Sequence, residues 1–243
     1  MKKFYCILLI ACLCVGFAGC GKTETAQRET RTTDIAENQS IFENQSVTEN
    51  QSAEVSDANK SKILIAYFTR ADNIKVDPDI DATSSASINV NGSSYEGNLA
   101  IMADYIKDAT DGDTFSILTK KYYPTKYSDT TDTAKQEQNN NVRPELFNHV
   151  DNMEDYDIIF LGYPNWWGGL PMPVYTFLEE YDFSGKTIIP FASHEGSGLG
   201  KGPSEIDKIC PGANVMDGLA VRGSAVGSSK DNVTNWVAGL NLK

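Results

Sequence analysis

Three short stretches bring together residues able to hold an anion beside a flat ring. Thr69-Arg70-Ala71 offers a hydroxyl and a guanidinium, and Asn98, after Gly97, opens a helical pattern whose first backbone N–H groups have no partner within the helix. Tyr163-Pro164-Asn165-Trp166-Trp167-Gly168 is aromatic and stiff, and Ser193-His194-Glu195-Gly196-Ser197-Gly198 combines hydroxyls, an imidazole and glycines. A guanidinium fork matches phosphate oxygens, a helix start favours negative charge, and tryptophan faces make an apolar slot. The chemistry implied is binding of a molecule with an anionic end and a planar body. No nucleophilic triad or paired carboxylates are needed for it. With only His149 and His194 in the chain, a zinc-type centre is not expected.

Each stretch has a plainer reading beside the functional one. Arg70 could pair with Asp72 or Asp77, Glu195 could be a solvated charge, and His194 a polar loop residue. Trp166 and Trp167 could plug the helix near Val174 into the sheet. Adjacent side chains do not share one core face easily, so at most one indole is expected to touch a bound ring.

The elements that must position these residues follow from the apolar pattern. Ile63 to Tyr67 is a continuous apolar run of strand length, and 156–163 (YDIIFLGY), 186–192 (KTIIPFA) and, more weakly, 214–221 (NVMDGLAV) repeat it. Residues 114–119 (TFSILT) read as a shorter strand at an edge. Between them, Leu99, Met102, Ala103 and Ile106 recur at helical spacing, as do Val174, Phe177 and Leu178, and Val233, Trp236, Val237 and Leu240. Strands alternating with helices predict a doubly wound, five-stranded parallel sheet with helices on both faces, whose ligands bind beyond the carboxyl ends of the strands. All three stretches follow strands, which places them on that edge.

The rest of the chain reads as delivery and tether. Lys2 and Lys3 precede the apolar run Phe4 to Val15, too short to span a bilayer, and the run ends in Phe17-Ala18-Gly19-Cys20. This resembles the lipobox of bacterial lipoproteins, with Phe17 where leucine is usual. The resemblance implies a signal over residues 1–19, lipidation at Cys20 and an extracytoplasmic domain held at the cell membrane through the lipid alone. Residues 20–60 are polar and repeat ENQS at 37–40, 43–46 and 49–52, which predicts a disordered tether reaching roughly 35 Å. The domain proper is expected over 61–243. Within it Cys210 is the only cysteine, so no intrachain disulfide can form there, and the thiol is expected to be packed. The net charge of −12 argues against nucleic acid and against docking on anionic lipid.

The order of these loops over residues 61–243 resembles the flavodoxin family. The closer likeness is to its branch with Ser/Thr-Arg after the first strand, an insertion before Gly-Asn, and Tyr-Pro-x-Trp-Trp-Gly after the third. The resemblance implies FMN as cofactor. Thr69, Arg70, Ala71 and Asn98 would then lie around the phosphate, with Tyr163 to Gly168 and Ser193 to Gly198 flanking the ring. The chain departs from the family's compact Thr/Ser-x-Thr-Gly-x-Thr loop, which here is split by an insertion, and Leu99 stands where a hydroxyl is usual. Residues 122–144 are expected to form a loop and short helix over the site. Two redox functions follow: an electron carrier docking on a partner protein, or an FMN-dependent NAD(P)H oxidoreductase reducing a small quinone-like substrate. A flavin-free binding module on the same fold is a third, non-redox alternative. No Gly-x-Gly-x-x-Gly marks a second dinucleotide site.

Overall fold

Short apolar runs joined through amphipathic helices build parallel rather than antiparallel neighbours, because each connection must cross a face of the sheet. The computed structural model describes residues 61–75, 87–91 and 94–242. The export signal, Cys20, the ENQS repeats and Asp77 lie outside the described residues. In chain order the elements are β1 (Ile63–Tyr67), β2 (Ile88–Asn91), β3 (Ser94–Gly97), α1 (Asn98–Thr110), β4 (Asp113–Ser116), α2 (Tyr127–Asn139) and β5 (Ile158–Pro164). They continue with α3 (Met172–Glu180), β6 (Thr187–His194), α4 (Gly202–Ile209), β7 (Asn214–Val215), β8 (Leu219–Arg222) and α5 (Lys230–Gly239).

The main sheet runs β4-β1-β5-β6-β7, with β8 also on β6, and every pairing is parallel. The expected fifth strand is therefore real but broken. Met216-Asp217-Gly218 interrupts it, so that β7 pairs with the start of β6 and β8 with its end. The 114–119 strand is the expected edge, ending at Ser116. The insertion after β1 holds an antiparallel hairpin, β2 with β3, where the sequence suggested only polar chain.

Alternation along the strands sorts the core into two layers. Ile63, Ile65, Ile158, Phe160, Ile189 and Phe191 face α1 and α5, where Leu99, Met102, Ile106, Val233 and Val237 complete one cluster. Leu64, Ala66, Ile159, Leu161, Ile188 and Ala192 face the other way, onto Val174, Phe177 and Leu178 of α3 and Ile206 of α4. Both faces are covered, which explains why the strand runs are apolar throughout. The chain passes from β1 to β4 on one side and returns to β5 on the other. The strand order reverses at the carboxyl ends of β1 and β5, where a crevice is expected.

Candidate functional site

The split loop closes on itself at that switch point. Thr69, fully buried, donates its hydroxyl to the Ser87 carbonyl at 3.4 Å, and the Asn98 backbone N–H donates to the same oxygen at 3.1 Å. Gly97 lies between them so tightly that a Cβ there would come within 2.2 Å of Thr69 Oγ1. The insertion thus leaves the end of β1 and returns to it. Ala71 starts a single 3-10 turn, Ala71–Asn73, and Asn73 fixes the turn from beneath. Its Nδ2 donates to the carbonyls of Thr69 at 2.9 Å and Ile117 at 3.0 Å, while its Oδ1 accepts from the Thr119 backbone N–H at 2.8 Å. This buried amide joins the exits of β1 and β4, a role its position in a polar run did not announce.

Arg70 is buried yet its side chain lines the crevice. Its Nη2 donates to the Thr125 carbonyl just before α2, and the guanidinium stands 5.7 Å from the Tyr127 ring centroid. The plainer reading of Arg70 as a partner of Asp72 competes with another contact, since Asp72 Oδ2 accepts the Ser116 hydroxyl at 2.6 Å. Helix α2 roofs the crevice. Thr130 and Ala134 are buried, and Tyr127, Thr130, Thr131 and Ala134 all line the cavity. Their i, i+3, i+4, i+7 spacing puts them on one helical face. The helix is held down by the buried Tyr123 hydroxyl, which donates to Glu137 at 2.6 Å.

The two tryptophans part company, and the backbone explains how. Residues 166–169 form a two-residue turn in which Trp166 and Gly169 exchange backbone hydrogen bonds at 3.2 and 3.1 Å. Trp167 has φ +53° and Gly168 φ +85°, the left-handed pair of a tight hairpin turn. Trp166 turns inward, edge-on to Phe68 and Tyr123 with ring centroids 5.4 Å away in both cases. Trp167 turns outward, 52% exposed, with Lys135 Nζ 4.9 Å from its ring. Trp166 packs against the core cluster that also holds Val174 of α3, whereas Trp167 does not. Tyr163, placed at the ring by resemblance, is fully buried and donates its hydroxyl to the Leu199 carbonyl at 2.8 Å, beneath the loop. Burial holds that phenol far above its ordinary pKa. Pro164, the last residue of β5, is buried beside Ser193 of β6.

Asn165 laces the loops together. Its backbone N–H donates to the Ser193 carbonyl at 2.9 Å and its Nδ2 to the Gly198 carbonyl at 2.8 Å. Its Oδ1 is buried without a donor among the described residues, and Asn165 lines the crevice. Beyond Ser193 the loop turns to solvent. His194 Nδ1 accepts the Gly196 N–H at 2.7 Å, and Glu195 lies 3.7 Å from Arg222, both half-exposed. Glu195, Gly196 and Ser197 are exposed, with Gly198 only partly so.

The result is a cavity of about 260 Å³ whose lining includes Arg70, Ser87, Asn165, Trp166, Trp167 and the inner face of α2. Of the expected site residues, Arg70, Asn165, Trp166 and Trp167 line it. Thr69, Ala71, Asn98, Tyr163 and Pro164 lie outside its lining, Gly168 completes the tryptophan turn, and of Ser193 to Gly198 the carbonyls of Ser193 and Gly198 bond to Asn165. Ser87 and the four α2 residues are additions. The helical spacing of 127, 130, 131 and 134 was readable in the sequence, whereas Ser87 sits in a serine-rich run with no local pattern. The donor set suits a phosphorylated, hydroxylated ligand with a flat body: a cation in Arg70, a buried acceptor seeking a hydroxyl or ring N–H in Asn165, and aromatic walls. Among the described residues no group of three or more His, Cys, Asp or Glu is placed to hold a metal ion.

Comparison with known proteins gives the family of the chain. Residues 87–240, more than half of the chain, match the family model described as Flavodoxin. That match begins after β1 and Thr69-Arg70-Ala71. Among solved structures, a protein from Bacteroides uniformis named as a flavoprotein is 26% identical, with 74% of this chain and 99% of that one covered and a TM-score of 0.55. A counterpart from Bacteroides eggerthii, also named as a flavoprotein, is 26% identical over 72% of this chain and 98% of that one, with a TM-score of 0.51. No curated protein matches the chain.

Proposed function

The chain belongs to the flavodoxin family, and from this we propose that it binds FMN in the crevice beyond β1 and β5 and transfers electrons. The observation that carries this reading is the composition of the crevice. Arg70 and the buried Asn165 Oδ1, which has no donor among the described residues, line it together with Trp166 and Trp167. FMN, when bound, supplies the one- and two-electron chemistry. The chain's own work is to bind and shield: Arg70 meets the phosphate, Asn165 accepts from a hydroxyl or ring N–H, and the tryptophan turn with α2 excludes water. Titrating the purified protein with FMN and following flavin fluorescence tests this. Quenching with one equivalent is expected, and unchanged fluorescence would overturn it.

We further propose that the protein works outside the cell membrane, tethered by lipid on Cys20. The lipobox resemblance and the polar repeats support this. Cys20→Ser should release the protein into the soluble extracellular or periplasmic fraction, and retention in the membrane would refute the anchor. The redox partner is a protein or a small quinone-like acceptor. The roof made by α2 favours the small acceptor, because Tyr127, Thr130, Thr131 and Ala134 cover one side of the crevice against a docking protein. NADPH oxidation dependent on an added quinone would support an oxidoreductase, and its absence a carrier.

A further inference from the structure

The family's compact phosphate loop would place a hydroxyl after Asn98, where this chain has Leu99. The insertion offers a replacement. Ser87 is 1% exposed and returns to the end of β1, where its carbonyl accepts the Asn98 N–H at 3.1 Å and the Thr69 hydroxyl at 3.4 Å. The first N–H of α1 is therefore occupied by the chain itself, and an anion has no claim on it. The Ser87 side chain meanwhile lines the crevice with Arg70 and Asn165, and its Oγ accepts the Trp166 indole N–H at 3.3 Å. A hydroxyl carries one proton and can donate while it accepts. Among the described residues no acceptor takes that proton. A buried donor left without an acceptor is costly, so an acceptor supplied by a ligand is expected.

We propose that Ser87 donates a hydrogen bond to a phosphate oxygen of the ligand, in a seat bounded by Arg70 and roofed by α2. The insertion then replaces part of the family's loop instead of merely interrupting it. Trp166 becomes a positioning residue, because its indole N–H fixes the Ser87 rotamer and so directs the hydroxyl proton into the crevice. The arrangement favours FMN over riboflavin, since only FMN brings the acceptor oxygens.

This rests on the reading of the crevice as an FMN site, and the test separates the two. Wild type, Ser87→Ala and Ser87→Cys are titrated with FMN and with riboflavin by fluorescence, and with inorganic phosphate by melting temperature. Ser87→Cys keeps the size while weakening the donor, and it serves if the alanine variant does not fold. Loss of the hydroxyl is expected to weaken FMN about tenfold, to leave riboflavin nearly unchanged, and to abolish the stabilisation that phosphate gives wild type. Equal weakening of both flavins, or undiminished FMN binding, overturns the proposal. If wild type binds neither flavin, the FMN reading falls and the phosphate arm decides Ser87 alone. Phosphate stabilisation confined to wild type upholds the seat, and an equal response in the variants, or none in wild type, removes it.

Discussion

The indole N–H of Trp167 donates to the Thr131 carbonyl at 3.1 Å, tying the turn after β5 to α2 across the mouth of the crevice. Trp167 holds this position from a left-handed backbone, φ +53°, which costs a residue with a Cβ about 1–2 kcal/mol. The hydrogen bond and the Lys135 contact offset that cost by about 0.5–1.5 and 0.5–1 kcal/mol respectively. Strain kept where a smaller residue would relieve it points to a role in ligand binding.

Two substitutions separate strain from contact at this position. Trp167→Ala keeps the strain and loses both contacts, whereas Trp167→Gly loses the contacts and the strain together. The glycine variant is expected to be more stable than the alanine variant by about 1 kcal/mol in urea unfolding. Both variants should bind FMN more weakly than wild type. Equal stability of the two would show that the turn does not need the left-handed conformation.

Cys210 is 5% exposed at the end of α4, and burial pushes its thiol up to about 12. A folded value above the unfolded one of about 8.5 means the neutral thiol is favoured by the fold. Its contribution is fully present below about pH 8.5 and is lost as pH rises towards the folded value. At pH 8 the folded protein should resist iodoacetamide, with alkylation appearing only in denaturant. Cys210→Ala should flatten the alkaline part of the stability profile, and rapid labelling of the native protein would contradict the burial.

The layers of the fold were legible because burial on both faces writes itself into β1, β5 and β6 as unbroken apolar runs. The fifth strand was weaker in the sequence because it is weaker in the sheet, where Asp217 and Gly218 break it into β7 and β8. At the site, the loops after β1, β5 and β6 could be placed on one edge by counting strands. What could not be read was which side chains turn inward. Trp166 and Trp167 differ only through the φ of Trp167, and Tyr163 belongs to the core by strand alternation. Ser87 reaches the crevice through contacts to Thr69, Asn98 and Trp166 that no local pattern encodes.

Arg143 grips Glu179 of α3 with two parallel bonds, Nε and Nη2 each 2.6 Å from a carboxylate oxygen. The hydrogen bond from Arg143 holds the Glu179 carboxyl below its ordinary pKa. A depressed folded value contributes stability above the unfolded pKa of about 4.3, and that contribution is lost as pH falls through the folded value. Both groups meet solvent, so the contribution is on the order of 0.5 kcal/mol after screening. Glu179→Gln should lose that amount at pH 7 and nothing at pH 2, as read from the difference in urea midpoint from wild type. A difference that persists at pH 2 would mean that packing, not charge, is what the glutamate supplies.

Arg70 places a cation in the crevice, and its hold on α2 and its proposed bond to phosphate make separable predictions. Its bond to the Thr125 carbonyl and its place over Tyr127 tie the exit of β1 to α2. Arg70→Ala should therefore lower the melting temperature whether or not a ligand is present. A hydrogen bond to a charged group contributes about 1.5–3 kcal/mol, so the same change should weaken FMN roughly tenfold to a hundredfold. Riboflavin lacks the phosphate and should lose far less. Arg70→Lys keeps the charge but not the fork, and is expected to fall between wild type and alanine for FMN. Dissociation constants for both flavins on all three proteins decide the matter: a loss shared equally by FMN and riboflavin would assign Arg70 to holding α2 in place and take it out of the phosphate seat.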